Sequence, residues 1–427
     1  MIMTRFQRLL KSRQLHTIIS QETIKPSSPT PPHLRIHNLS LVDQLAPNVS
    51  MPLIFFYKNY RKGSINILKK SLSQTLTSYY PFAGRSLEPS VPQIECNDQG
   101  VEFLEASNDT RLIDFILKKE LDETIDQLIP NYTFGNKDKL LKVQLNHLSC
   151  GGVAMVVSIS HKVADGYTVG KFINHWATVT RGGSPKNPTF LSSKCKIKIP
   201  EIDLKGTNKV VKYTTSRFVF PNSKLNELKN KVNASVNPTR VEILSSLIFK
   251  CAVGAATRLS GCIPPSNMYH LVNMRNKITG KNPPEIAAGN ICSIAVAKMA
   301  GTSEIKLHKV IDGLRKDKTE IKEVGDVEEV GEVLLNKMST LGGDESRIYA
   351  FSSVCRFPFY DVDFGWGNPV QLMIKNGVIE GNVITLMDTP SGEGIEAIVQ
   401  LEAEEMSLFQ KDKEILAYSQ DIKKFAV

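Results

Sequence analysis

The stretch Val153–Ile159 is apolar at every position except Ser158. A run this short and this continuous reads as a strand covered on both faces. Gly151-Gly152 marks a turn before it, and Leu141, Val143 and Leu145 alternate with polar residues as a half-buried strand would. After it comes His161-Lys162-Val163-Ala164-Asp165-Gly166, where Asp165 can cap a helix whose one face carries Val169, Phe172, Ile173, Trp176 and Ala177. A buried strand, a turn and an amphipathic helix in succession point to an α/β or mixed fold. In such sheets ligands tend to sit at the carboxyl ends of the strands.

The same reading extends along the chain. Leu53–Tyr57 predicts a buried strand, and Ile65, Leu68, Leu72, Leu76 and Tyr79 predict a helix over 64–79 that ends before Pro81. A second helix follows Pro238, with Val241, Leu244, Ser245, Ile248 and Phe249 at helical spacing. The charge-dense stretch 320–332 predicts a surface helix pair with its loop, and Val383–Met387 and Ala397–Leu401 predict strands. Lys194–Lys212 holds six lysines, Pro200 and few apolar residues, the composition of a linker. The expected organisation is an N-terminal domain over 1–190, a crossover linker over 191–212 and a C-terminal domain over 213–427.

The chain has 427 residues, enough for two cores with a cleft between them. Its net charge of +10 suits an anionic ligand but is too mild and dispersed for nucleic-acid binding. Seven cysteines with no CxxC spacing argue against a disulfide framework and a structural zinc site, so reduced thiols in a cytoplasmic protein are expected and no metal is. No apolar run reaches the length of a membrane span. Met1–Ser20 carries Arg5, Arg8, Lys11 and Arg13 and no acid. It is read as a solvated basic extension in preference to an organellar transit peptide.

The phosphate loop GxxxxGK[ST], GxGxxG, HExxH and GxSxG are all missing, which weighs against kinases, classical dehydrogenases, zinc proteases and α/β-hydrolases. Two signals remain. HxxxD alone is weak, since eight histidines would give roughly 0.4 accidental matches. Its place at a strand end strengthens it, because a neutral imidazole held there can accept an alcohol proton. The second is Asp363-Phe364-Gly365-Trp366-Gly367, a pentamer expected by chance at roughly one in ten thousand. Glycines on both sides of an indole suggest a tight loop.

HKVADG followed by DFGWG resembles the plant BAHD acyl-coenzyme A-dependent acyltransferases. So do Ile24–Pro31, Tyr79–Arg85, Cys96-Asn97-Asp98 and Cys355–Asp361, which are similar to the subgroup that includes vinorine synthase and deacetylvindoline acetyltransferase. The resemblance covers nearly the whole chain from Glu22. It implies two similar-sized domains, each a mixed sheet with flanking helices, of the chloramphenicol acetyltransferase type, with a solvent channel between them. A segment near 368–390 then packs with the N-terminal domain. The resemblance makes His161 the general base and pairs Asp165 with Arg275 across the domains. It makes Asp363 a support of the loop far from the chemistry, and puts Gly365, Trp366, Gly367, Gly289 and Asn290 on the coenzyme side. Ser352 becomes the candidate oxyanion donor. Acyl-coenzyme A is then a cosubstrate, with no resident cofactor, and its partner is a small hydroxylated acceptor, most simply an alkaloid taking an acetyl group. The enzyme is expected as a monomer without nucleic-acid or membrane partners. Acyl-sugar synthesis is the nearest enzymatic alternative, and a catalytically silent binding protein of the same fold the other. Two positions depart from the family: Val354 stands where a Trp is usual, and Asn368 where the subgroup has Lys.

Overall fold

A computed structural model describes residues 16–424 except 62, 88–90, 131–137, 194–210, 233–236, 281–285, 303, 342–345 and 376–379. Residues 1–15, and all of the 191–212 crossover but its two ends, lie outside the described residues. Residues 16–20 are not part of a basic extension. His16–Ile24 forms an edge strand, β1, because alternate residues of this stretch find a ready antiparallel partner in Val101–Asn108.

The first half holds β1, β2 (Ser50–Tyr57), β3 (Val101–Asn108), β4 (Leu141–Leu148) and β5 (Val153–Ser160), with helices α1 (Leu41–Leu45), α2 (Ile65–Ser78) and α3 (Gly166–Thr180). The second half holds α4 (Arg240–Ser260), α5 (Leu307–Glu320) and α6 (Val327–Leu341). Its strand segments in chain order are β6 (Tyr213–Pro221), β7 (Ser266–Asn273), β8 (Cys292–Met299), β9 (Arg347–Ser353), β10 (Gln371–Ile374), β11 (Asn382–Asp388) and β12 (Gly394–Glu402). Two six-stranded sheets result, ordered β1-β3-β4-β5-β2-β10 and β6-β12-β11-β9-β7-β8. Both mix parallel and antiparallel pairs, as β3–β4 and β4–β5 show in the first.

The segment 368–390 is split between the sheets. Gln371–Ile374 closes the edge of the first by pairing with β2, whereas Asn382–Asp388 lies inside the second. A second link joins Thr189–Phe190 in parallel to Ala287–Ala288.

The central strands explain the apolar run. β5 is buried along its whole length, covered on one face by α2 and α3, whose Leu68, Leu72, Phe172 and Trp176 are fully buried. Each such side chain contributes about 1.5–3 kcal/mol of burial. β4 is also buried on both faces, more than its alternating sequence predicts, because it lies between β3 and β5 in the sheet interior. α4 is long and apolar enough to cross a membrane by composition, but it forms the second core instead, with Leu244, Leu247, Ile248 and Phe249 fully buried. A Thr239–Glu242 capping box starts it and Gly261, at φ +77°, ends it. A third, smaller cluster packs Val42 of α1 against Met274, Ile291, Val330 and Leu334. There Gly331 lets α6 approach α1 closely, since a Cβ at that position would lie 2.4 Å from the Cβ of Leu41.

Candidate active site

His161 follows the last residue of β5, where the chain leaves the sheet. Its backbone N–H donates to the carbonyl of Val49 at 2.9 Å, which pins the turn to the start of β2. The residue is only partly buried. Burial nonetheless pulls the imidazole pKa below its ordinary 6.5, against the opposing pull of its own carbonyl, Asp165, Asn290 and Asp43. The ring is therefore held as the neutral base near pH 7. Its Nδ1 lies 3.1 Å from Oδ1 of Asn290.

Asp165 caps α3, accepting from the N–H of Thr168 at 2.9 Å. It does not touch His161 by any hydrogen bond. Its carboxylate takes a two-pronged ion pair from Arg275, at 2.7 and 3.0 Å, and the backbone N–H of Ile291 at 3.1 Å. Burial opposes the charge, but Arg275 and these donors overcome it and hold the carboxyl below its usual range. Arg275 also donates to the carbonyls of Ala287 and Gly289 and lies over the ring of Tyr167, 4.3 Å from its centre. Gly289, at φ +121°, takes a backbone conformation that side-chain-bearing residues rarely adopt. The pair thus fastens the 287–291 loop, from the second half, onto the helix that follows His161.

Asp165→Asn should lower stability by about 3 kcal/mol, because it leaves the nearly buried Arg275 guanidinium without its counter-charge. The loss should show as a lower melting temperature together with a lower rate; an unchanged melting curve would count against the pairing. The folded carboxyl titrates below its unfolded value. Its stabilisation is therefore complete above the ordinary carboxyl pKa of about 3.9 and disappears as the pH falls through the lower folded value.

Asp363 stands apart from this cluster. Its Oδ1 accepts from the N–H groups of Gly365, Trp366 and Gly367 at 2.7, 3.0 and 2.9 Å, so it ties the loop to itself. Its carbonyl accepts from Arg181. Gly365 and Gly367 are at φ +90° and +82°, which explains both glycines. Trp366 is packed in the first core, edge-on to Tyr57 and Tyr60, and its indole N–H reaches Ser64. The indole is therefore buried, whereas Gly365 and Gly367 are exposed. The two tryptophans meet around Phe364, whose ring centre is 4.8 Å from that of Trp176.

Ser352 lies on β9, half-buried, with its hydroxyl 3.2 Å from that of Thr385. No hydrogen bond joins it to His161. Val354 follows β9 and leans over the start of α3, 3.5 Å from the point where a Cβ on Gly166 would sit. Asn368 is exposed. Asn290, expected on the coenzyme side, is 1 % exposed and bonded to His161. Asp43, which the sequence does not single out, is bonded to Asn290 and equally buried. The one sequence signal for it is the Ser40-x-x-Asp43 capping box that starts α1.

One face of the second sheet turns toward the first half: Met387 and Ile398 on it belong to the first core. Further along the same face Ile348 and Leu271 are 46 % and 45 % exposed, beside half-buried Ala350 and Ser352. Asn267, Tyr269 and Thr385 share that face, so it mixes apolar and hydrogen-bonding groups.

Comparison with known proteins agrees with this geometry. The chain matches the Transferase family over residues 16–416. It is 38% identical to akuammiline synthase 1 of Alstonia scholaris, covering 94% of this chain and 97% of that one. It is 35% identical to deacetylvindoline O-acetyltransferase of Catharanthus roseus, covering 94% and 97%. The crystal structure of vinorine synthase superposes with a TM-score of 0.79 at 30% identity, covering 95% of this chain and 99% of that one. A mixed two-sheet fold matched along nearly its full length by these acyltransferases leaves one assignment: the chain belongs to the BAHD family of acyl-coenzyme A-dependent acyltransferases.

Proposed function

We propose that the enzyme transfers an acyl group, most simply acetyl, from acyl-coenzyme A to a hydroxyl of a plant specialised metabolite with an alkaloid scaffold. The observation that carries this reading is His161: partly exposed, neutral near pH 7, and engaged through Nδ1 so that Nε2 remains for substrate. Nε2 takes the hydroxyl proton as the oxygen attacks the thioester carbonyl. The tetrahedral intermediate collapses, the carbon–sulfur bond breaks, and the imidazolium returns the proton to the departing thiolate. A coenzyme thiol with a pKa near ~8.5 is a good leaving group, so it needs little acid assistance. Ser352 is the proposed donor to the oxyanion. Transfer is direct. Burial holds the thiols of Cys355 and Cys292 up at about 11 and about 12, far from the thiolate that an acyl-enzyme would need. The relatives named for akuammiline, deacetylvindoline and vinorine support an alkaloid acceptor.

The test is release of free thiol from acetyl-coenzyme A in the presence of a panel of alcohols and amines, followed by initial rates with both substrates varied. Release that depends on an alcohol, with intersecting reciprocal plots, is expected. Parallel plots would indicate an acyl-enzyme. Coenzyme binding without release for any acceptor would make the chain a binding protein of the same fold.

A further inference from the structure

We infer that Asp43 is a positioning residue for the transfer reaction: it anchors the side-chain amide of Asn290, and that amide sets which nitrogen of His161 carries the proton. The inference rests on the reading of His161 as the base. It starts from a set of hydrogen bonds that leaves one orientation of the Asn290 amide. The atom assigned as Nδ2 lies 2.8 Å from Oδ1 of Asp43 and 2.7 Å from the backbone carbonyl of His161. A carbonyl can only accept, and so can an ionised carboxylate, so the atom facing both must be the NH₂ group. The amide oxygen is then the atom 3.1 Å from Nδ1 of His161, and it too can only accept. Nδ1 therefore bears the hydrogen and Nε2 the lone pair.

Asp43 supplies the second acceptor, and anchors the amide in the orientation that the His161 carbonyl selects. Four donors converge on its two oxygens. The backbone N–H and hydroxyl of Ser40 reach one at 2.9 and 2.8 Å, and the backbone N–H and side chain of Asn290 reach the other at 2.9 and 2.8 Å. Three of the four cannot accept a proton in return, so the carboxyl is satisfied as its anion. Burial pushes its pKa up, and the bonds from Asn290 and Ser40 oppose that rise. α1 holds it in place through Val42 in the third core, and α6 presses on Leu41 at Gly331. Asn290 is carried in by the loop that Arg275 and Asp165 fasten down. Asp43 and Asn290 are each 1 % exposed, and their link to the proposed base is the Asn290 contact to His161. The amide holds His161 twice, once at ring Nδ1 and once at the backbone carbonyl, so its loss frees both restraints together.

Two measurements test this. In a protein labelled with ¹⁵N-histidine, the two-bond proton–nitrogen spectrum of His161, assigned by its absence in His161→Gln, should show a protonated Nδ1 and an unprotonated Nε2. In Asn290→Ala the Nε2–H form should become populated. In steady-state acetyl transfer, Asn290→Ala and Asp43→Asn should each lower kcat by roughly 10–100-fold, the order seen when an orienting partner of a functional imidazole is removed. KM for acetyl-coenzyme A should stay within about twofold. A wild-type spectrum with Nε2 protonated overturns the proposal. So does kcat within twofold of wild type in the variants, or a raised KM at unchanged kcat, which would make Asn290 a coenzyme contact. If Asp43→Asn does not fold, the wild-type spectrum and Asn290→Ala still decide. His161→Ala separates the two levels: persistent transfer there removes His161 as base, whereas loss there with normal Asn290→Ala removes only the positioning role.

Discussion

Replacing His161 with alanine is expected to leave a folded protein whose acyl transfer is slower by about 10²–10⁴, the usual worth of a positioned general base. The structural cost is small, because the side chain is partly exposed and its loss leaves only the Asn290 amide oxygen without its donor. The melting curve should therefore stay close to that of the parent while turnover collapses. The wild-type pH profile gives an independent check. The base must be neutral, and burial lowers the folded pKa of His161, so the neutral form survives to lower pH than it would for a free imidazole. The acid limb of kcat/KM should lie below 6.5. Thiol release followed from pH 5 to pH 8 measures both, and near-normal turnover in His161→Ala, or an acid limb above 6.5, contradicts the assignment.

The sequence carried the parts of this site that are local. A wholly apolar β5, a histidine at its end and an aspartate that caps the next helix are one continuous stretch, and each has a physical signature readable without the fold. The DFGWG loop is equally local, since Asp363 closes on the amides of Gly365, Trp366 and Gly367 within four residues. What the sequence hides is distance. Asp43 and Asn290 are 247 residues apart, and nothing in Leu41–Leu45 beyond its capping box hints that the second oxygen of its one carboxylate meets a loop of the other half. Asn290 is legible as a residue of interest, but its contact to His161 is not, because the two lie 129 residues apart. The strand at His16–Ser20 is hidden for a related reason: the basic residues before it set its apparent character, and its partners on β3 lie about ninety residues away.

The largest stability effect expected lies far from His161, at the ion pair of Arg217 and Glu396. These residues are 1 % and 2 % exposed, on the adjacent strands β6 and β12. Arg217 donates to Glu396 at 2.6 and 3.0 Å, and its remaining terminal nitrogen reaches the carbonyls of Ile116 and Lys118 at 2.8 and 2.9 Å. Glu396 in turn accepts from Gln371, on the strand that crosses into the first sheet. One buried pair thus binds the second sheet to the 116–118 segment of the first half and to the β10 strand of the first sheet. Glu396→Ala should cost about 3–5 kcal/mol, because it strands a guanidinium in the interior with only neutral acceptors. Replacing both partners together, as Arg217→Met with Glu396→Leu, should recover much of that loss, since no charge is then left buried. Denaturant unfolding of the single and double variants measures the difference. A double variant that retains stability but has a raised KM for the acceptor would show that the pair sets the alignment of the halves. A single variant as stable as the parent would show that the pair contributes nothing to holding them together.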